Sequence, residues 1–383
     1  MRLSLFSNAL VAVLVGFGGS VAIVLAGVQA VGATPAQSAS WISALCLAMF
    51  VTSTTLSVLH RMPIVTAWST PGAALIAATA IGGVPTYSIE VAVGAFLFAA
   101  ALIMLSAAVK PLATLIAKIP SALASAMLAG VLIGFSIAVF DQAAQDPLLV
   151  LPLVAVFLIV RMVSATWAVI AVLGAGVAWA APMTGGIELT SLELISPVFD
   201  PAALIGLGLP LFLVSMASQN LPGFAVLRAA GYEPPTRSAL AVTGLASLLT
   251  APFGAHTTTL AAITASLCTG PDTHPDPNKR WISGIFYGLG YLILAGVGVS
   301  VVAGFAALPT GVIVTVAGLA LIGPLMGSLS AALAPEATRF PAVLTLTATA
   351  SGLTLFGIGS AFWGLVLGLL ALGLDKLAKK MRD

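Results

Sequence analysis

The chain has 383 residues, of which 60% are hydrophobic and only 7% charged. A soluble domain carries about 25% charged residues, so the composition excludes a soluble surface and points to a polytopic membrane protein. The net charge of +2 says little about partners; where the charges fall says more. Cys46 and Cys268 both lie in apolar stretches and suggest neither a disulfide framework nor a metal site. There is no H-E-x-x-H, Walker loop or G-x-S-x-G, so neither enzyme chemistry nor a cofactor is expected.

Taken in order, the chain opens with Arg2 and an apolar run from Leu5 to Val31. That run is too long for the core of a signal peptide and reads as a retained first helix. Apolar runs then predict about fourteen crossings, at 7–31, 40–58, 63–82, 88–109, 121–140, 147–161, 164–181, 203–227, 237–250, 253–269, 281–303, 309–330, 339–356 and 358–375. With the N-terminus in the cytoplasm, this threading puts every Lys and Arg on the cytoplasmic side and returns the C-terminus there. The opposite side receives Glu90, Asp141, Asp146, Glu188, Glu193 and Asp200. Lys and Arg confined to the cytoplasmic side is the charge bias of an inner-membrane protein.

The two halves repeat. Gly16-Phe-Gly18 returns as Gly206-Leu-Gly208 and Gln29 as Gln219, both at an offset of 190. Pro63 matches Pro252, Pro120 matches Pro309, and Leu132-Ile-Gly134 matches Leu321-Ile-Gly323, all at an offset of 189. Seven crossings per half is an odd number, so the second half is inverted relative to the first. The predicted organisation is a first repeat over 1–182, an extracytoplasmic linker over 183–202 and a second repeat over 203–383.

Corresponding crossings are broken in each half. In the third, Pro63 to Trp68 reads as extended chain, followed by a helix with Thr70 as N-cap and Pro71 at its first position. In the tenth, Pro252 and Gly254 interrupt an apolar run, with 252–255 extended and His256 and Thr257 to Thr259 opening the next helix. Both half-helices then start near the membrane midplane, entering from opposite sides. Irregular backbone at that depth is tolerated only when buried in protein or lining a cavity. A helix N-terminus offers unpaired N–H groups and about half a positive charge, and two of them facing one another suit an anion. No Lys, Arg, Asp or Glu falls mid-membrane in this threading, which favours a small monoanion.

The eighth crossing adds Ser215, Ser218, Gln219 and Asn220; Ser215 and Gln219 are i,i+4 on one face with Ser218 and Pro222. The alternative reading of this stripe is interhelical hydrogen-bonding glue. Phe17, Trp68 and Phe212 offer an apolar wall, or ordinary packing. His256 titrates near physiological pH and suits proton coupling, or is a neutral histidine satisfied by its neighbours; an anion and a proton bound together at such a site reinforce one another. His60 and His274 sit at a helix end and in a loop and carry no such expectation. Gly130-x-x-x-Gly134, Gly284-x-x-x-Gly288, Gly323-x-x-x-Gly327 and Gly364-x-x-x-Gly368 read as close helix packing.

Three stretches, 215–235, 253–264 (Phe-Gly-Ala-His-Thr-Thr-Thr-Leu-Ala-Ala-Ile-Thr) and 279–288, carry a resemblance to a known family, the benzoate:proton symporters or BenE family. The likeness runs over essentially the whole chain. It implies a distant relationship to nucleobase and sulfate transporters with a seven-plus-seven inverted repeat. It also implies a core domain of crossings 1–4 and 8–11, a gate domain of 5–7 and 12–14, elevator-type transport and a homodimer. A substrate site between crossings 1, 3, 8 and 10 would draw on Phe17, Gln29, Ala67, Trp68, Ser69, Thr70, Phe212, Ser215, Ser218, Gln219, Asn220, Gly254, Ala255, His256, Thr257 and Thr258. Nucleobase transporters carry acidic residues in crossings 8 and 10, where this chain has Ser218, Gln219, Ala255 and His256.

The resulting expectation is an all-α secondary transporter importing benzoate or a similar aromatic carboxylate with a proton, His256 coupling the two. The alternatives are another small organic anion, a nucleobase, or a passive anion channel built on the same half-helices.

Overall fold

Backbone amides buried in hydrocarbon must be paired within the protein, so apolar runs of this kind become helices. The computed structural model describes residues 3–80, 84–108, 120–179, 189–356, 358 and 360–382. Arg2, Lys110, Lys118, Glu188 and the first part of the expected linker lie outside them. The first half contains α1 (Leu3–Gly18), α2 (Val21–Ala30), α3 (Pro35–His60), β1 (Thr66–Trp68), α4 (Thr70–Ala77), α5 (Ile89–Ala108), α6 (Ser121–Gln145), α7 (Pro147–Val163) and α8 (Ala165–Trp179). The second contains α9 (Pro201–Arg228), α10 (Thr236–Thr250), β2 (Thr258–Leu260), α11 (Ile263–Thr269), α12 (Trp281–Gly296), α13 (Gly298–Ala306), α14 (Thr310–Leu333), α15 (Arg339–Ala350) and α16 (Ser360–Arg382).

With α1–α2, β1–α4, β2–α11 and α12–α13 each taken as one broken segment, these elements form fourteen segments at the expected places. Among the described residues, seven helices are long and apolar enough to cross a membrane alone. The rest are short or broken, and α12 and α13 meet at a 65° bend. Outward-facing Leu148, Met162 and Val163 are largely exposed, as suits a surface solvated by lipid rather than water.

Helix packing follows the repeat. The pairs α3–α12 and α5–α10 exchange when the halves are exchanged, as do α6–α15 and α7–α14, while α6–α14 maps onto itself. Two groups result. One holds α1 to α5 and α9 to α13; the other holds α6, α7, α8, α14, α15 and α16. Glycine allows the closest approaches: Gly284 and Gly288 lie against Ser57, Thr54 and Phe50 of α3, and Gly364 and Gly368 against Thr345 and Thr349 of α15. Gly134 differs from the expectation, since a Cβ added there would meet nothing within 4 Å, and so do Gly323 and Gly327. A Cβ added at either would meet nothing within 4 Å, so that motif is not a packing contact.

Both crossings expected to break do so. After α3 the chain turns at Arg61, in the left-handed region at φ 53, and runs extended into β1. The cap of α4 is Ser69, whose Oγ accepts the Gly72 N–H at 3.1 Å, and not Thr70 as expected. In the second half Ala251–Phe253 forms one 3₁₀ turn that Gly254 ends at φ 90. The extended stretch then runs on through β2, and α11 starts only at Ile263. His256 and Thr257 to Thr259 therefore sit in extended chain, not at a helix N-terminus as the sequence suggested.

The two breaks pair with each other. β1 and β2 are antiparallel, with Thr66 opposite Leu260, Ala67 opposite Thr259 and Trp68 opposite Thr258. Ser69 N–H donates to the Thr257 carbonyl and Ala261 N–H to that of Val65, both at 3.0 Å. A two-stranded ribbon leaves two open edges, which side chains close. Ser53 Oγ accepts the Thr66 N–H at 3.0 Å, Tyr287 Oη donates to the Thr66 carbonyl at 2.9 Å and Ser57 to that of Ile64 at 2.9 Å. On the β2 edge, Ser247 Oγ accepts the Thr258 N–H at 2.9 Å and Asn220 Oδ1 the Leu260 N–H at 3.0 Å.

Leaving one such buried N–H unpaired costs about 1–3 kcal/mol. Ser247→Ala and Asn220→Ala are each expected to lower thermal stability in detergent, whereas Ser238→Ala, at the part-buried partner of His60, should shift it by under about 0.5 kcal/mol. Unchanged melting for the first two would show that these edges are not held by the side chains.

Candidate functional site

A cavity of about 670 Å³ lies between the two helix groups, within the size range of small-ligand pockets. Its first wall comes from Gly16 and Ser20 around the α1–α2 break, Ala67, Trp68, Thr70 and Pro71 at the start of α4, Ser218 and Gln219 of α9, Ala261 to Thr264 before and in α11, and Tyr291 of α12. The facing wall is Ser125 and Leu128 of α6, Phe157 and Arg161 of α7, and Leu319 to Ala331 along α14. The α14 glycines Gly323 and Gly327 line this space. The lining of the second wall draws on the beginning of α6 and the ends of α7 and α14, so the cavity belongs to one end of the bundle. At the other end an extended strap covers the tenth crossing: Glu193 N–H donates to Ser40 Oγ at 2.9 Å, Ile195 N–H to the Pro252 carbonyl at 2.7 Å and Val198 N–H to that of Glu90 at 2.9 Å.

Trp68 is fixed at the cavity wall. Its indole N–H donates to Ser20 Oγ at 2.8 Å, and Ser20 in turn donates to the Gly16 carbonyl at 2.6 Å. Its ring meets Phe17 and Tyr291 edge-on, with centroids 5.5 and 6.1 Å away. Gly16 admits the close approach of Tyr291, since a Cβ there would stand 2.8 Å from Tyr291 Oη.

Of the residues singled out from sequence, Ala67, Trp68, Thr70, Ser218 and Gln219 line the cavity. The others do not. Ser215, Ser69 and Thr257 form a buried hydroxyl cluster behind α4, with Ser215 Oγ 3.2 Å from Ser69 Oγ and 2.7 Å from Thr257 Oγ1. Asn220 is committed to the β2 edge. Phe212 is buried in the packing core and Phe17 backs Trp68. Gln29 borders a separate small cavity near Phe305 and Ile313. Gly254, Ala255 and Thr258 belong to the buried break. The expected i,i+4 stripe of α9 splits for a local reason. Met216–Asn220 forms a π-turn, which rotates Ser218 and Gln219 away from the face of Ser215. Such turns recur at functional sites, and Pro222, which has no N–H to donate, follows directly.

His256 is 1% exposed and lies behind the ribbon. Trp41 Nε1–H donates to its Nδ1 at 3.1 Å, and its Nε2 is 3.1 Å from the Ser69 carbonyl. An indole can only donate and a carbonyl only accept. The ring is therefore the neutral Nε2–H tautomer, joining α3 to the break of the other repeat. The lining residues not found from sequence include Gly16, Ser20, Thr264, Tyr291, Phe157 and Arg161, along with the α14 face. Nothing in their local patterns separates them from ordinary packing or, for Arg161, from topology alone.

The fold has known counterparts. The transmembrane domain of a cyanobacterial bicarbonate transporter, BicA, superposes with a TM-score of 0.60 at 13% identity, covering 96% of this chain and 98% of that one. SLC26A9 superposes with a TM-score of 0.64 at 13% identity, covering 97% of this chain and 65% of that one. Both support the inverted-repeat membrane transporter fold. In sequence, the chain is 41% identical over 364 residues to inner membrane protein YdcO of Escherichia coli K12, covering 93% of this chain and 92% of the relative. It is 35% identical over 366 residues to a benzoate membrane transport protein of Acinetobacter baylyi, covering 94% and 92%. With a family profile matching residues 1–374 as well, the chain is a multi-pass membrane transporter, not an enzyme, and belongs to the benzoate membrane transport protein (BenE) family.

Proposed function

We propose that this transporter imports benzoate, or a similar small aromatic carboxylate, across the inner membrane together with a proton. The observation that carries the substrate class is the cavity lining. It holds hydroxyls and an amide from Ser20, Thr70, Ser218, Gln219, Thr264 and Tyr291, the N-terminal end of α4, an apolar wall at Trp68, and no Asp or Glu among its described residues. A carboxylate there meets donors and the positive end of a helix dipole, while a cation meets no countercharge. On this reading α1–α5 and α9–α13 form a core domain that carries the substrate. The helices α6–α8 and α14–α16 form a gate against which it moves, in an elevator-type cycle of a homodimer. The cavity belongs to the end where the described basic residues cluster, the proposed cytoplasmic side, and the strap covers the opposite end. A cavity at one end with the opposite end covered supports a carrier over the passive channel.

Proton coupling through His256 takes a specific form. Both ring nitrogens are engaged, so a proton can add at Nδ1 only if the Trp41 indole gives up its bond. Protonation and movement of α3 against the second break would then occur together. Glutamine at 256 can accept from Trp41 and donate to Ser69 without titrating. His256→Gln is therefore expected to abolish accumulation driven by an imposed inward proton gradient in vesicles while benzoate exchange persists. Accumulation with wild-type dependence on the gradient would remove His256 from the coupling step and leave it a structural bridge.

Gln219 provides the test of the substrate site. Gln219→Asn keeps an amide in the cavity, whereas Gln219→Glu adds a charge of the same sign as the substrate. Benzoate affinity is expected to fall at least about 10-fold further for the glutamate variant, measured on folded protein. Equal affinities would place the carboxylate elsewhere.

A further inference from the structure

The second wall of the cavity carries a pair of side chains that the proposed site does not use. Phe157 and Arg161 lie four residues apart on α7, a spacing that puts both on one helix face, and both line the cavity. Phe157 is 7% exposed, a ring set into the wall, while Arg161 is exposed at the end of α7. Among the described residues Arg161 is the only charged one of the lining. Among the described residues no hydrogen bond or ion pair engages its guanidinium. Some other cations at this end of the bundle are held: Arg280 donates to the carbonyls of His274 and Thr269 at 2.7 and 2.8 Å, Arg61 lies over the Trp281 ring at 4.2 Å, and Arg339 reaches Glu336 at 3.7 Å; Arg228 and Arg237 are not part of the cavity lining. The positive-inside bias explains a cation at this end. It does not explain one that faces the cavity beside a phenyl ring.

We propose that Phe157 and Arg161 form an outer station for the aromatic carboxylate on α7, distinct from the site at Trp68 and Gln219 and occupied as the substrate passes the cavity mouth. This rests on the anionic, aromatic substrate proposed above. A guanidinium binds a carboxylate through paired N–H donors, and an adjacent ring gives the substrate's apolar end a surface to contact. Because the station is on α7 and open to solvent, it raises the local concentration of anions at this mouth in a salt-dependent way. It acts on substrate arriving from this side and not on substrate arriving from the other.

The test is initial-rate benzoate flux in oriented vesicles, measured from each face at low ionic strength and at ~1 M salt, where the Debye length is about 3 Å. For Arg161→Gln, KM at this face is expected to rise about 10-fold at low salt and to come within about twofold of wild type at high salt, with Vmax and the KM at the other face unchanged. Arg161→Lys should keep most of the low-salt affinity. Phe157→Leu should raise KM by a similar factor at both salt concentrations. A wild-type KM in Arg161→Gln, an increase of equal size at both ionic strengths, or an equal increase at both faces would overturn the outer station. Those outcomes leave the transport reading intact if wild-type flux is saturable; absence of saturable benzoate flux in the wild type would instead overturn the transport reading and the station with it.

Discussion

The structure depends on how it pairs the backbone of two interrupted crossings. Each break exposes carbonyl and amide groups at a depth where water does not supply partners. The antiparallel ribbon of β1 and β2 pairs one set of them. The other set faces outward along two edges, and Ser53, Ser57 and Tyr287 on one side, Ser247 and Asn220 on the other, take it up. These side chains come from α3, α12, α10 and α9, so each long neighbouring helix is registered against the ribbon. A slip of any one by a residue would leave a buried backbone group unpaired. The buried ribbon thus fixes where the helices stand, and their placement leaves the cavity beside it.

That division of labour explains why polar residues so close in sequence do such different work. Ser215 and Asn220 are absorbed in holding α4 and β2, while Ser218 and Gln219 between them reach the cavity. The π-turn at Met216–Asn220 makes this possible, because it inserts one residue into the helical repeat and turns adjacent side chains onto different faces. One short segment both anchors the ribbon and lines the proposed substrate path.

Much of the fold was legible in the sequence. Charge bias and apolar runs located fourteen segments, and the rarer repeated residues, Pro63 with Pro252 and Pro120 with Pro309, exposed the two halves. At the cavity the reading from sequence singled out Trp68 and Thr70, which do line it, where the chain is extended and then regularly helical, although Ser69 and not Thr70 caps α4. It failed where local geometry departs from regular repeats: at the π-turn, which has no plain compositional sign, and at Gly323 and Gly327, where a motif of close packing instead borders open space. Spacing alone cannot tell a glycine that admits a neighbouring helix from one that leaves room for a ligand. Arg161 was visible only as a topological charge, since the side chains it faces come from distant parts of the chain.

The same limit applies at the second break, where the halves differ. From Pro63 to the first residue of β1 is three residues, whereas from Pro252 to the first residue of β2 is six. The 3₁₀ turn and the left-handed Gly254 take up part of the added length, and His256 falls within it. That is why the offset of 189, which aligns the prolines and again aligns the starts of α6 and α14 (310 − 121 = 189), widens to 192 across the strands (258 − 66 = 192). A perfectly symmetric inverted repeat would have outward- and inward-facing states of equal free energy, since exchanging the halves converts one into the other. Any bias between them must come from positions where the halves differ, insertions among them. The histidine bridge from Trp41 to Ser69 is such a feature, made by an insertion in one half and bonded to elements of the other. If protonation acts on this transporter, an asymmetric bridge of this kind is where a proton can favour one state over the other.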